Sequence, residues 1–188
     1  MKTNNIFITA TAIASLFVSC KKDEKLDPVN PVPINQQELI TTVKLVFTDS
    51  ANTAMVSSFN FSDPDGEGGN GPVEFDTILL NANKTYWVSI LLLDESKTPI
   101  DTISNEVLEE ANDHQFFFHH TGVNVNTTYM DLDSNNPPLP IGLQTKWKSS
   151  SAGIGTSQVI LKHQPGTKTG SEANGETDVD LLFTTIVQ

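Results

Sequence analysis

The chain of 188 residues has no arginine, a single cysteine (Cys20) and only two tryptophans. Each scarcity excludes something. Without arginine there is no planar guanidinium fork for a phosphate, and a formal net charge of -12 would repel a polyanion. Nucleic acid is therefore not an expected partner. A lone cysteine rules out an intramolecular disulfide and leaves one thiol to be explained. The most extended apolar run, Ile6 to Val18 (IFITATAIASLFV), falls short of the roughly 20 residues that a membrane-spanning helix needs. No segment sustains a 3.6-residue periodicity, which argues against a helical bundle. Gly-x-Ser-x-Gly, His-Glu-x-x-His and His-x-His do not occur. Gly153-Ile154-Gly155 is too brief for a phosphate-binding loop. No catalytic constellation stands out, so the chain does not read as an enzyme.

What is present begins with an address. One lysine, Lys2, precedes the apolar run, and Phe17-Val18-Ser19-Cys20 closes it. The run has the length of a signal-peptide core. The closing tetrapeptide resembles the lipobox of bacterial lipoproteins, although leucine is more usual at the Phe17 position. The resemblance implies a signal peptide over residues 1–19, cleavage before Cys20, and a diacylglyceryl anchor on the Cys20 sulfur with further acylation, such as palmitate, at the new amino terminus. Each buried CH₂ contributes about 0.8 kcal/mol, and durable anchoring takes more than one chain. The alternatives are a plain secretory signal or an uncleaved anchor. Lys22-Asp23-Glu24 resembles the export signal that sends some lipoproteins to the outer face of the outer membrane. Surface exposure is thus expected, with a periplasm-facing placement as the alternative. Residues 20–37 hold Pro28, Pro31 and Pro33 among polar neighbours. Proline-rich chain extends at about 3.1 Å per residue, so this tether would reach roughly 50 Å from the lipid.

Residues 38–188 read as one all-β domain. Leu39–Thr48, Ala54–Phe61, Glu74–Leu80, Thr85–Leu93, His114–His120, Val123–Asp131, Ile141–Lys148, Ser157–His163 and Thr177–Val187 are β-branched, aromatic or alternating. Asn81–Lys84 predicts a hairpin turn between the third and fourth of these. Asn136-Pro137-Pro138, Gly153–Gly155 and Gln164–Gly175 read as breakers. Ile103–Ala111 predicts one short helix or an irregular crossing. Eight or nine short strands predict an immunoglobulin-like β-sandwich, with a β-barrel as the alternative.

Glu38–Val43 (ELITTV), Asp63–Val73 (DPDGEGGNGPV), Asp113–Phe118 (DHQFFF), Ile160–Gly166 (ILKHQPG) and Gly175–Phe183 (GETDVDLLF) together resemble a family of small exported bacterial lipoproteins. The resemblance spans most of the chain. It implies a lipid anchor and a β fold, and supplies no reaction and no catalytic residues.

Chemistry-bearing residues cluster in a few places. Asp63, Asp65, Glu67 and Glu74 fall at positions 1, 3, 5 and 12 of a calcium loop, with Gly66 at position 6. Ca²⁺ is the one candidate cofactor. Against it stand Pro64, the bulk of Glu67 and flanks that read as strands. The competing reading is a solvated turn whose glycines supply positive φ. Asp131 and Asp133 form a second acidic pair, read as a strand end entering the Pro137-Pro138 turn. His114, Phe116, Phe118 and His120 share one face of an extended strand, and His163 could meet one of these histidines across strands. Polar strand positions are the favoured reading for all four histidines. Phe116-Phe117-Phe118 indicates a central or doubly covered strand. Trp87 and Trp147 are candidate ligand platforms or core residues, with core favoured for Trp87. Asp49-Ser50-Ala51, Asp76-Thr77-Ile78 and Asp101-Thr102-Ile103 resemble short O-glycosylation sequons.

These readings converge on a membrane-anchored cell-envelope lipoprotein that acts as a binding, adhesion or structural module. Its expected partners are the membrane, through lipid, and an extracellular protein or glycan. An envelope assembly subunit and a polymer-acting enzyme are the alternatives.

Overall fold

The computed structural model describes residues 39–66 and 68–188. The signal segment, Cys20, the tether, Glu38 and Glu67 lie outside the described residues. In chain order the elements are β1 (Thr42–Asp49), β2 (Val56–Ser62), β3 (Glu74–Phe75), β4 (Ile78–Leu80) and β5 (Thr85–Leu93), followed by α1 (Ile103–Glu109). Then come β6 (His114–Thr121), β7 (Val125–Tyr129), β8 (Gln144–Ser149), β9 (Gly153–His163) and β10 (Glu176–Val187). One sheet is ordered β3-β2-β1-β5-β8-β7 and the other β4-β10-β9-β6. The two sheets pack as a sandwich, and neither closes into a barrel.

Alternation drives the layering. In β1, Val43, Leu45 and Phe47 are buried while Lys44, Val46 and Thr48 are half-covered. In β5, Tyr86, Val88, Ile90 and Leu92 turn inward. A period of two sends successive side chains to opposite faces. Phe116, Val159, Leu161, Val179 and Phe183 close the core from the four-stranded sheet. Helix α1 adds Ile103 and Val107. It is pinned to β5 where the Leu92 N–H donates to Ser104 Oγ at 2.6 Å.

Three expectations need correction. Residues 74–80 are two strands, not one. Phe75 pairs with Phe61 in the six-stranded sheet, whereas Ile78–Leu80 runs parallel to the end of β10 in the other. The change of sheet happens at Asp76, which exchanges backbone and side-chain hydrogen bonds with Asn60 at 2.9 and 2.8 Å. Consequently Asn81–Lys84 closes no hairpin, because β4 and β5 belong to different sheets. Second, Gly153–Gly155 opens β9 rather than breaking the chain. A Cβ on Gly155 would collide with the Thr121 carbonyl oxygen and the Gly122 backbone, so glycine here permits a close approach of backbones. Third, Trp87 is 43% exposed on the outer face of β5, and Trp147 is the fully buried one. The apolar run around Trp87 hides an alternation in which its neighbours Tyr86 and Val88 point inward.

All strands run between two poles. At the entry pole, β1 and β10 begin, β5 and β9 end, and α1 hands over to β6. The residues that could carry chemistry gather there.

Candidate functional site

A cleft of about 280 Å³ opens at the entry pole, lined on one side by Ile40, Val43 and Phe61 and on the other by Val179 and Leu181. Asp63, Asp178 and Asp180 also border it, and the Asp180 carboxylate is taken up by Gln158 Nε2 at 2.6 Å. Such a site suits a ligand with an apolar body and a positively charged end.

Asp63 and Asp65 sit on the glycine-rich loop beside the cleft. Desolvation, together with its hydrogen bond to Asp65, pushes the Asp63 carboxyl above its ordinary value. The backbone N–H and side-chain amide of Asn70, 2.9 and 2.8 Å away, hold Asp65 below it. Glu74 lies on β3 and accepts from Asn60 Nδ2 at 3.0 Å. Asp63, Asp65 and Glu74 therefore do not converge on one point among the described residues, and Glu67 is not described. Gly66 and Gly68 adopt positive φ, as the turn reading requires.

Asp131 and Asp133 hold the β7–β8 connection together. Asp131 accepts from the N–H groups of Gly142 and Gln144, both at 2.8 Å. Asp133 accepts from the Leu139 N–H at 2.7 Å and pairs with Lys168 Nζ at 2.8 Å. Of the three sequon-like triplets, Ser50, Thr77 and Thr102 are all only partly exposed.

The histidines divide into distinct groups. His114 and His163 are register partners across β6 and β9, and their rings stack at 4.5 Å with an interplanar angle of 11°. Glu110, at the C-cap of α1, completes a group whose ligand atoms all lie within 4.8 Å of one another. Among the described residues no other such group of three occurs. His114 Nδ1 is 3.2 Å from the Glu110 carbonyl oxygen and 3.9 Å from Glu110 Oε2. His114 Nε2 is 4.0 Å from Asp178 Oδ2. The register of β10 slips between Thr177 and Val179, and bulges of this kind re-aim side chains. Asp178 thereby both lines the cleft and stands near the His114 imidazole. Burial pushes His114 down to about 4, so the ring is neutral at pH 7.

His119 is exposed and meets Glu172 Oε2 at 2.6 Å. His120 turns into the core, where its ring packs edge-on to Trp147 at 4.6 Å. Its nitrogens reach Ser157 Oγ at 2.9 Å and Thr127 Oγ1 at 2.8 Å. Thr185 Oγ1 in turn donates to Ser157 Oγ at 2.8 Å. Ser157 is completely buried, so this serine–histidine contact is a core hydrogen-bond chain rather than an activated nucleophile.

Burial, with a smaller contribution from His119, also pushes His120 down to about 4. An unfolded histidine titrates near 6.5. Between these values the unfolded chain binds the proton and the folded one does not. Stability is therefore lost as pH falls from about 6.5 to 4, on the order of 2–3 kcal/mol from this side chain. Denaturation of the metal-free protein at several pH values should show this slope together with that of His114, and His120→Asn should remove the His120 share of it. An unchanged slope would contradict the assignment.

No family model, curated protein or solved structure matches this chain. The site thus stands on its own geometry. Sequence reading missed the Glu110–His114–His163 group because its members come from three elements. The available signal was the chance of His163 meeting His114 across strands. It lacked the register that aligns them.

Proposed function

We propose that the protein is a membrane-anchored cell-envelope lipoprotein that displays its β-sandwich as a non-catalytic binding module. The observation that carries this reading is the lone Cys20 directly behind a short apolar run and ahead of a proline-rich segment. Lipidation gives that cysteine a purpose, and the proline-rich segment gives the domain reach. Among the described residues no helix is long and apolar enough to cross a membrane. The apolar, carboxylate-bearing cleft supports recognition of a partner with an apolar body and a cationic end, such as a lysine-bearing segment of an extracellular protein.

Cells expressing the full chain with an alkyne-tagged palmitate analogue should yield a labelled protein in the membrane fraction. Cys20→Ala should remove the label and release or mislocalise the protein. Label that survives Cys20→Ala would overturn the anchor. Protease treatment of intact cells then separates surface display from a periplasm-facing placement.

A further inference from the structure

We propose that Glu110, His114 and His163 form a binding site for one divalent transition-metal ion of the zinc class, with Asp178 orienting His114. The inference goes beyond the anchored binding module, since it needs neither the lipid nor the cleft's ligand. It starts from donor chemistry. Two imidazoles and a carboxylate suit Zn²⁺, Cu²⁺ or Ni²⁺, whereas Ca²⁺ and Mg²⁺ take oxygen ligands. This metal class and this place are separate from the calcium candidate in the Asp63–Glu74 loop.

His114 and His163 sit opposite each other on adjacent antiparallel strands, where Cβ atoms lie about 4.5–5.5 Å apart. Their rings stack nearly parallel at 4.5 Å, so one ring must turn for both to present a nitrogen to the same ion. Glu110 enters from a third element, and its exposed side chain can swing without disturbing the core. Zinc holds nitrogen and oxygen at about 2.0–2.2 Å, which sets ligand atoms roughly 3.3 Å apart in a tetrahedron. The ligand atoms lie within 4.8 Å of one another, so closing onto an ion takes up to about 1.5 Å of movement, and His114 Nδ1 must exchange its contact with the Glu110 carbonyl oxygen, at 3.2 Å, for the metal. A histidine that ligates through one nitrogen characteristically donates the other N–H to a carboxylate. Asp178 Oδ2 stands 4.0 Å from that other nitrogen, Nε2.

The frame around the site is stiff. The N–H groups of Asp113 and His114 both donate to the Glu110 carbonyl, at 2.9 and 3.2 Å. The Gln164 N–H donates to the Asp113 carbonyl at 2.6 Å, which ties the segment after His163 to the one before His114. Ligands on rigid, mutually bonded segments lose little freedom on binding. Three protein ligands leave the fourth position of the ion open, and the exposure of Glu110 gives that position access to solvent.

The test uses the full chain, solubilised in detergent and free of any histidine tag, titrated with Zn²⁺ alone against a chromogenic chelator. One equivalent per chain is expected. His163→Ala should weaken binding at least about 100-fold, beyond the 10–100-fold that loss of an orienting partner costs, and Asp178→Asn should fall within that range. Glu110→Gln should also weaken binding, and because Glu110 is exposed the variant should stay folded. His119→Ala, on the outer face, should keep the full equivalent. Co²⁺ substitution should give visible absorption that is lost in His163→Ala. Failure to bind one equivalent, or equal affinity in Glu110→Gln and the unaltered protein, would overturn the site. Should His163→Ala misfold by circular dichroism, Glu110→Gln decides.

Discussion

Lys168→Met is expected to lower the stability of the domain by about 3–5 kcal/mol, the cost of removing one partner from a buried ion pair. The Lys168 and Asp133 side chains are almost wholly buried and meet at 2.8 Å. Lys168 Nζ also donates to the Ala111 carbonyl oxygen at 2.8 Å. One ammonium thus binds together the end of the α1 segment, the β7–β8 connection and the β9–β10 connection. Burial alone would raise the Asp133 carboxyl. The Leu139 N–H, the Lys168 ammonium and Asn135 override it and hold the group below its ordinary value. Burial likewise draws Lys168 below its ordinary value, against the pull of Asp133. Methionine keeps an unbranched apolar stem and deletes the ammonium, so the loss combines the stranded Asp133 carboxylate with the hydrogen bond to the Ala111 carbonyl oxygen. The sign with pH follows. In the unaltered protein Asp133 favours folding above its unfolded value near 3.8, and that contribution is lost as pH falls through its lower folded value. In Lys168→Met the stranded carboxylate takes up a proton more readily, so the difference between the two proteins should narrow on mild acidification. Urea denaturation at pH 7 and pH 4.5 measures both effects. A loss below about 1 kcal/mol would show that the pair behaves like an exposed one.

Trp147→Ala should cost about 3–5 kcal/mol, and Trp87→Ala much less. Trp147 joins the two sheets. Its ring meets Phe47 of β1 at 5.2 Å, and Phe118 and His120 of β6 at 5.7 and 4.6 Å. Its indole N–H donates to Thr145 Oγ1 at 3.0 Å. Truncation would remove edge-to-face contacts and leave a cavity that the flanking strands cannot close. In a domain of this size the midpoint should fall by roughly 6–20 °C. Trp87 has Thr48 and Lys146 as register neighbours and one open face, so its removal uncovers little. Paired thermal melts distinguish the two residues, and equal losses would contradict the assigned packing.

That contrast shows where sequence reading ends. Period-two alternation is a local property, and it located β1, β5, β6 and β10 to within a few residues. The sandwich itself was legible for the same reason. Which face of a strand becomes the inner one is a property of pairing. Trp87 lay in the more apolar run, yet it points outward because Tyr86, Val88 and Ile90 claim the core. Glu74–Leu80 looked like a single strand because nothing local marks Asp76 as the step between sheets. Its partner, Asn60, is 16 residues away. The acidic loop was conspicuous because its carboxylates are close in sequence. The imidazole group was obscure because Glu110 and His163 meet only after β6 and β9 align. Asp131 and Asp133 lie in the connection just past β7, which ends at Tyr129 rather than at Asp131, and the lysine that neutralises Asp133 stands on a connection read only as a breaker.

The position of β1 has a mechanical consequence. Every residue from Thr42 to Thr48 is paired on both sides, with β2 and with β5. Ladder hydrogen bonds run across the strands, so a pull along β1 from its first residue strains both ladders at once, in shear. The two-residue strand β3 at the sheet edge would instead peel one bond at a time. Resistance to force is a matter of the unfolding rate rather than of equilibrium stability. Tension arriving ahead of Thr42 therefore enters through the strand gripped from both sides.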